Sequence, residues 1–298
     1  RAGLPDSVPG QTVNRFCSSG LQSIAAAANA IKAGEMDIVV AGGVEMMTGM
    51  FMGHPDEFQD RELLVSQPDS YIPMGITAEN VAAEYGVTRE DMEAMAAESH
   101  RKAAVAQAEG RFNEEIVPVT VKTEDGEKTV SVDEGVRAGT TAEKLATLEP
   151  CFKKDGVVTA ATSSQMTDGA SFVVLMSRET ADKLGHTPIA KFVSFAVAGV
   201  PSRIMGIGPI EAVPKVMKRT GLSVDDMDVI EINEAFAAQS LACIRALKLP
   251  EEKVNPNGGA MALGHPLGAT GAILTCKLLS ELKRVDGRYG LVTMCIGG

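Results

Sequence analysis

Short apolar runs alternate with helical stretches of small residues along most of this chain, and several of the runs border glycine. That order confines the chain to an α/β fold, with parallel or mixed sheets covered by helices. The runs are residues 37–43 (DIVVAGG), 169–177 (GASFVVLMS), 229–232 (VIEI) and 290–295 (GLVTMC). Helices are predicted over 18–33, 78–110, from Pro209 onward, over 234–247 and over 268–284. One order occurs twice. A small-residue helix followed by a strand ending in Gly-Gly spans 18–43 and again 268–298. The echo predicts two similar halves, each presenting a cysteine to one site.

The remaining segments read as follows. Residues 50–75, rich in Met, Pro and Asp, are expected to be irregular. The 78–110 helix should break near Gly86, with Thr88 and Asp91 forming a reciprocal cap. Residues 116–133 read as two strands turning around Asp125-Gly126. Helices near 142–148 and 179–185 and a strand near 189–199 complete the pattern.

A net charge of −11 argues against a nucleic-acid or anionic-membrane partner. No apolar run approaches the ~18 residues of a membrane span. The five cysteines are far apart and odd in number, without Cys-x-x-Cys spacing. A disulfide framework or zinc ribbon is therefore not expected; reduced, intracellular thiols are. The chain opens on Arg1 rather than Met and stops just after an apolar strand, which reads as a piece of a longer protein. A cytoplasmic location is expected, with organellar import left open by the start.

Four motifs carry chemistry. Cys17, in NRFCSSG (14–20), sits where a loop enters a helix. Unpaired N–H groups and the helix dipole there favour a thiolate, and thiols so placed fall to pKa ~3.5–7.5. A lone cysteine is nonetheless more often structural. His265, in GHPLGATG (264–271), stands in a glycine-bracketed turn that holds an imidazole rigidly. A neutral imidazole beside a thiol acts as a base or an oxyanion donor. Cys295, in MCIGG (294–298), follows a buried strand where α/β folds place ligands, although a core cysteine fits equally. Asn233, in NEAFAAQ (233–239), is either a helix N-cap or a group that holds a water or polarises a carbonyl.

These motifs, with PMGITAENVA (73–82), TSSQMTDGA (162–170), MGIGP (205–209) and NPNGGAM (255–261), together resemble the thiolases over essentially the whole chain. Among them, the chain looks most similar to degradative 3-ketoacyl-CoA thiolases. The resemblance implies an α-β-α-β-α layered fold of two halves with an inserted loop domain. Residues 1–46 and 167–187 then form an N-terminal half that is incomplete here. Residues 47–166 form the CoA-binding loop domain, and 188–298 the C-terminal half.

By the same resemblance, Cys17 is the acyl-accepting nucleophile, His265 takes its proton, and Cys295 is the second acid and base. His265 and a water on Asn233 form one oxyanion hole; the N–H groups of Cys17 and Gly297 form the other. CoA contacts fall to Met74, Phe152, Ser164, Gln165 and Phe236. The implied reaction is thiolytic cleavage of a 3-ketoacyl-CoA, with CoA as substrate and no metal, flavin or nicotinamide. Homodimers or homotetramers are expected, with a β-oxidation partner subunit as a further option. Two departures from the family pattern stand out. Pro73 occupies a place where many acetoacetyl-specific members have His, which favours longer or broader acyl chains. Thr162 stands where many have Asn. The alternatives are acetoacetyl-CoA synthesis on the same fold, a ketoacyl synthase, and a non-catalytic acyl-CoA-binding relative. Cys295 and the Gly-His-Pro turn speak against the second, and the complete set of four motifs against the third.

Overall fold

The computed structural model describes residues 2–48, 59–124 and 126–297. In chain order its elements are α1 (Ser19–Lys32), β1 (Ile38–Glu45), α2 (Arg61–Ser66), α3 (Met74–Tyr85), α4 (Arg89–Ala108), β2 (Val119–Thr123) and β3 (Gly126–Val130). Then follow α5 (Ala142–Leu145), β4 (Gly169–Met176), α6 (Arg178–Leu184), α7 (Gly208–Thr220), β5 (Val229–Ile232), α8 (Ala237–Leu247), α9 (Ala260–Leu263), α10 (Leu267–Arg284) and β6 (Gly290–Thr293).

The sheets are mixed. β1 runs antiparallel to β4, from Ile38 opposite Met176 to Glu45 opposite Gly169. β5 runs parallel to β6, with Val229 opposite Gly290 and Ile232 opposite Thr293. β2 and β3 form an exposed hairpin. Helix α10 packs on both larger sheets and against α1, so the two helix–strand units of the sequence echo meet along α1 and α10. Their approach depends on absent side chains. A Cβ on Gly43 would lie 1.9 Å from the Gly268 carbonyl oxygen, and one on Gly20 would lie 2.8 Å from the same oxygen. The start of α10 thus nests directly on β1 and on the first turn of α1.

Two apolar clusters support this frame. In one, α3, α4, α8 and α9 bury Val81, Met92, Ala96, Ala238 and Met261. In the other, Val213 of α7 joins Ile230, Ile232, Cys243 and Leu291 around β5. Local signals in the sequence explain the helix ends. Thr88 and Asp91 make the reciprocal cap of α4, and Gly86 closes α3 at φ +63°. Pro209 occupies the first turn of α7, where its missing N–H costs nothing.

Several expectations are corrected. Residues 189–199 form no strand. Among the described residues they pair with no strand. Instead the carbonyls of Val193, Phe195 and Val197 accept from the side chains of Lys32, Arg219 and Lys215. Helix α8 begins at Ala237, three residues late. The Gln239 side chain accepts from the Phe236 N–H and donates to the Asn233 carbonyl, holding 233–236 as a turn. Residues 61–71 are not irregular; they form α2 and a 3-10 turn. Residues 49–58 and the turn residue Asp125 lie outside the described residues.

Candidate active site

β5 and β6 end side by side at Ile232 and Thr293. Asn233 therefore leaves the sheet next to Met294 and Cys295, and the Asn233 N–H donates to the Thr293 carbonyl at 3.0 Å. This is the carboxyl end of a parallel pair, where α/β folds open toward ligands. Cys295 is buried and packs with Met205, Ala235 and Phe236. Asn233 is not a helix cap, since α8 starts later; its side chain is fully buried. Its amide nitrogen lies 3.3 Å from Nε2 of His265 and 3.5 Å from Nδ1, and among the described residues its Oδ1 has no hydrogen-bond partner. A buried amide oxygen left so can accept from a water or a substrate group.

Cys17 and His265 come from the other direction. Each precedes a helix, α1 or α10, and the two helices meet at their first turns through Gly20 and Gly268. Phe16 turns the chain with φ +42°, no side chain caps the start of α1, and Ser19 instead braces the turn before it. The Ser19 hydroxyl accepts from the Arg15 N–H and donates to the Phe16 carbonyl. The backbone N–H groups of Gly297 and of Cys17 itself point at the Cys17 sulfur. Cys17 and Cys295 are close enough that charge on one opposes charge on the other. His265 is tied at its backbone, whose N–H donates to the Gln165 carbonyl at 3.0 Å. Its Nδ1 lies 2.7 Å from the Thr270 hydroxyl. No direct hydrogen bond joins Cys17 to His265 among the described residues, which is common before substrate binds.

The electrostatics overturn one expectation. Cys17 is not a low-pKa thiol: burial pushes it above the ordinary cysteine value, and Glu45 adds to the rise. The N–H groups of Gly297 and Cys17 pull the other way without winning. The Glu45 carboxylate accepts from the Gly268 N–H at 3.1 Å, so it also occupies the α10 N-terminus. Burial, with Cys17 nearby, pushes Cys295 well above the ordinary thiol value. Burial pushes His265 down to about 4, leaving a neutral imidazole at neutral pH.

The side chains of the five expected CoA contacts differ in how far the fold already engages them. Met74 is partly exposed and its sulfur lies against Gly297, where a Cβ would come within 2.5 Å. Phe152 stacks edge-on against Phe236, with ring centroids 5.9 Å apart. The Ser164 N–H donates to the Ala235 carbonyl. Gln165 is committed to the framework: its amide donates to the carbonyls of Gly135, Met261 and Ala262. Thr162 is buried and closes a turn with Thr159, so it shapes the loop. Thr270 and Glu45 were not singled out from sequence. Thr270 lay inside the GHPLGATG motif, but only the fold aims its hydroxyl at the imidazole.

Comparison with known proteins decides the family. The thiolase N-terminal domain model matches residues 1–179 and the thiolase C-terminal domain model matches residues 186–298. The chain belongs to the thiolase family. A 3-ketoacyl-CoA thiolase of Bacillus subtilis (strain 168) is 54% identical over 307 aligned residues, covering 100% of this thiolase and 78% of the relative. The peroxisomal 3-ketoacyl-CoA thiolase of Homo sapiens is 51% identical, covering 99% and 71%. The crystal structure of the dimeric peroxisomal thiolase of Saccharomyces cerevisiae superposes with a TM-score of 0.94 at 46% identity, covering 99% of this thiolase and 75% of that chain. The layered fold expected from the motifs is thus that of the family. Among the described residues of this thiolase, no helix is long and apolar enough to cross a membrane.

Proposed function

We propose that this thiolase cleaves 3-ketoacyl-CoA with CoA, releasing acetyl-CoA and a shortened acyl-CoA through an acyl-Cys17 intermediate. One observation carries the assignment. A partly buried thiol at Cys17 and a fully buried one at Cys295 lie close enough to oppose each other's charge, with two backbone N–H groups aimed at the first and an Asn233–imidazole pair next to the second. The naming of its relatives as 3-ketoacyl-CoA thiolases supports the degradative direction.

His265 accepts the Cys17 proton as the sulfur attacks the 3-keto carbon. The resulting alkoxide collapses, the bond between C2 and C3 breaks, and the acetyl-CoA enolate leaves. Cys295 protonates that enolate and becomes a thiolate. It then takes the proton of an incoming CoA thiol, whose sulfur attacks acyl-Cys17. Release returns a thiolate at Cys17, which recovers its proton from His265. The N–H groups of Cys17 and Gly297 stabilise the thioester oxyanion. His265 and a water on Asn233 stabilise the enolate. Each such donor is typically worth ~3–4 kcal/mol. Covalent catalysis of this kind gives ping-pong kinetics.

Met74, Phe152, Ser164 and Phe236 are proposed to line the CoA path, with Gln165 holding their loop. The two halves, residues 1–46 with 167–187 and residues 188–298, flank a loop domain at 47–166. Self-association as a dimer or tetramer is supported by the dimeric yeast relative. Five free cysteines support a reducing, cytoplasmic setting. The test is to mix the protein with a long-chain 3-ketoacyl-CoA without CoA and to locate the acyl adduct by peptide mass spectrometry. Acylation of Cys17, lost in Cys17→Ala, is expected. An unmodified Cys17 overturns the mechanism. Turnover confined to acetoacetyl-CoA overturns the chain-length preference.

A further inference from the structure

The nitrogen of His265 that serves as the base must be free of its own proton. A neutral imidazole carries one N–H and one lone pair, and its neighbours decide which nitrogen has which. In metal sites and hydrolytic triads a carboxylate or carbonyl usually makes that choice. Among the described residues no carboxylate bonds this ring. What lies against it is the Thr270 hydroxyl, 2.7 Å from Nδ1, and the Asn233 amide nitrogen, nearer Nε2 at 3.3 Å. His265 and Thr270 are both buried, so neither nitrogen turns to bulk water.

Thr270 is free for the task. A helical threonine often donates to the carbonyl four residues back. That carbonyl here, on Pro266, accepts from the Ala269 N–H at 2.7 Å instead. Thr270 makes no other side-chain hydrogen bond among the described residues. The Asn233 amide presents its donor hydrogens nearer Nε2, at 3.3 Å, than Nδ1, at 3.5 Å, which favours a lone pair on Nε2. The ring proton is then on Nδ1, and the Thr270 oxygen is its acceptor.

We propose that Thr270 is a positioning residue that holds His265 in the Nδ1–H tautomer, leaving Nε2 bare to take the Cys17 proton. This rests on the function proposed above. A hydroxyl does this differently from a carboxylate. It orients the ring and accepts the N–H but adds no negative charge, so the imidazole stays a weak base in its buried pocket. The base then yields its proton back when Cys17 is released as a thiolate.

The experiment uses the full chain with nitrogen-15-labelled histidine and the variants Thr270→Ser and Thr270→Val. The His265 ring signals are assigned by their loss in His265→Asn. In the wild type, the ring shifts are expected to place the proton on Nδ1, and Thr270→Ser should keep it there. Thr270→Val, close in shape but without the hydroxyl, should move the proton toward Nε2. It should slow Cys17 acylation ~10–100-fold, part of the ~10²–10⁴ that base catalysis supplies, with KM changed less than ~3-fold. Thr270→Ser should keep most of the rate. A resting wild type with its proton on Nε2 overturns the proposal, as does Thr270→Val acylating at the wild-type rate. If Thr270→Val fails to fold, the wild-type and Thr270→Ser spectra still decide it. Failure of the wild type itself to form acyl-Cys17 removes the proposed function instead, and the tautomer is judged from the spectra alone.

Discussion

Replacing Gly43 by alanine tests whether the contact between β1 and the start of α10 positions the proposed catalytic groups. Gly43 lies in β1, and a Cβ there would sit 1.9 Å from the Gly268 carbonyl oxygen and 3.1 Å from the Ala269 Cα. Both neighbours are backbone, so no side chain can rotate away. Real Cβ contacts essentially never fall under 3.0 Å, so the α10 N-terminus must retreat by more than an ångström. His265 precedes that turn, while Cys17 is anchored on α1. Overpacking of this kind costs ~1–3 kcal/mol. A displacement of ~1 Å at reacting groups costs ~10²-fold in rate. Gly43→Ala should therefore melt a few degrees lower, at ~2–4 °C per kcal/mol for chains of 150–250 residues, and lose ~10²-fold in kcat. Gly208→Ala is the control, because a Cβ there meets nothing within 4 Å. Thermal melts and loss of 3-ketoacyl-CoA enolate absorbance read the two effects. Wild-type kcat in Gly43→Ala would refute the idea that this glycine contact sets the distance between nucleophile and base.

Two further outcomes concern the buried charges. Lys277 of α10 pairs with Glu231 of β5 at 3.1 Å, and both side chains are almost wholly buried. Lys277→Met strands that carboxylate, one oxygen of which already has no partner among the described residues, and should cost ~3–5 kcal/mol in urea unfolding. The double variant with Glu231→Leu should recover most of the loss; no recovery means the pair is not the cause. The second outcome is a pH dependence. His265 binds its proton near pH 4 when folded, against an ordinary value of 6.5. Between those values the unfolded chain holds more protons, so this contribution grows with pH and is lost as pH falls, by ~3 kcal/mol in full. Glu115, raised by burial to about 7 from 4.5, acts in the opposite sense, and its contribution shrinks as pH rises through that window. Urea midpoints should thus climb more steeply between pH 4.5 and 6.5 in Glu115→Gln than in wild type, and less steeply in His265→Asn. Identical slopes in all three chains sink this account.

Where the signal was local, the chain could be read. Gly86, the Thr88–Asp91 cap and Pro209 act within one turn, and all three appear where the residues place them. The short runs of β1, β4, β5 and β6 were legible because a wholly or half-buried strand leaves an apolar trace. The strand expected at 189–199 failed for the opposite reason. Its residues alternate suitably, but a strand needs a neighbour, and sequence pattern does not show whether one is present. In the site, the motifs marked Cys17, Asn233, His265 and Cys295. They did not show that burial would raise the thiol rather than lower it. A helix N-terminus predicts the direction of one influence, whereas desolvation depends on what other segments cover it. Thr270 and Glu45 were missed similarly, since both act across contacts between distant segments.

The raised thiols and the lowered imidazole have a joint consequence. With both sulfurs pushed up and His265 pushed down, none of the three groups is charged at neutral pH. Moving the Cys17 proton to His265 is then uphill before substrate arrives. Glu45 makes it steeper by opposing a thiolate near the α10 N-terminus. In the mechanism proposed above, the attack then draws its thiolate into being as the carbon–sulfur bond forms, with the charge passing directly to the carbonyl oxygen. Preorganised N–H donors aimed at the developing charge are what make that passage favourable. The mutual opposition of Cys17 and Cys295 adds a second constraint, because two adjacent buried thiolates cannot coexist. Acylation of Cys17 removes its capacity for charge and so makes a thiolate at Cys295 less costly. That is the moment at which the enolate needs a proton and the incoming CoA needs a base.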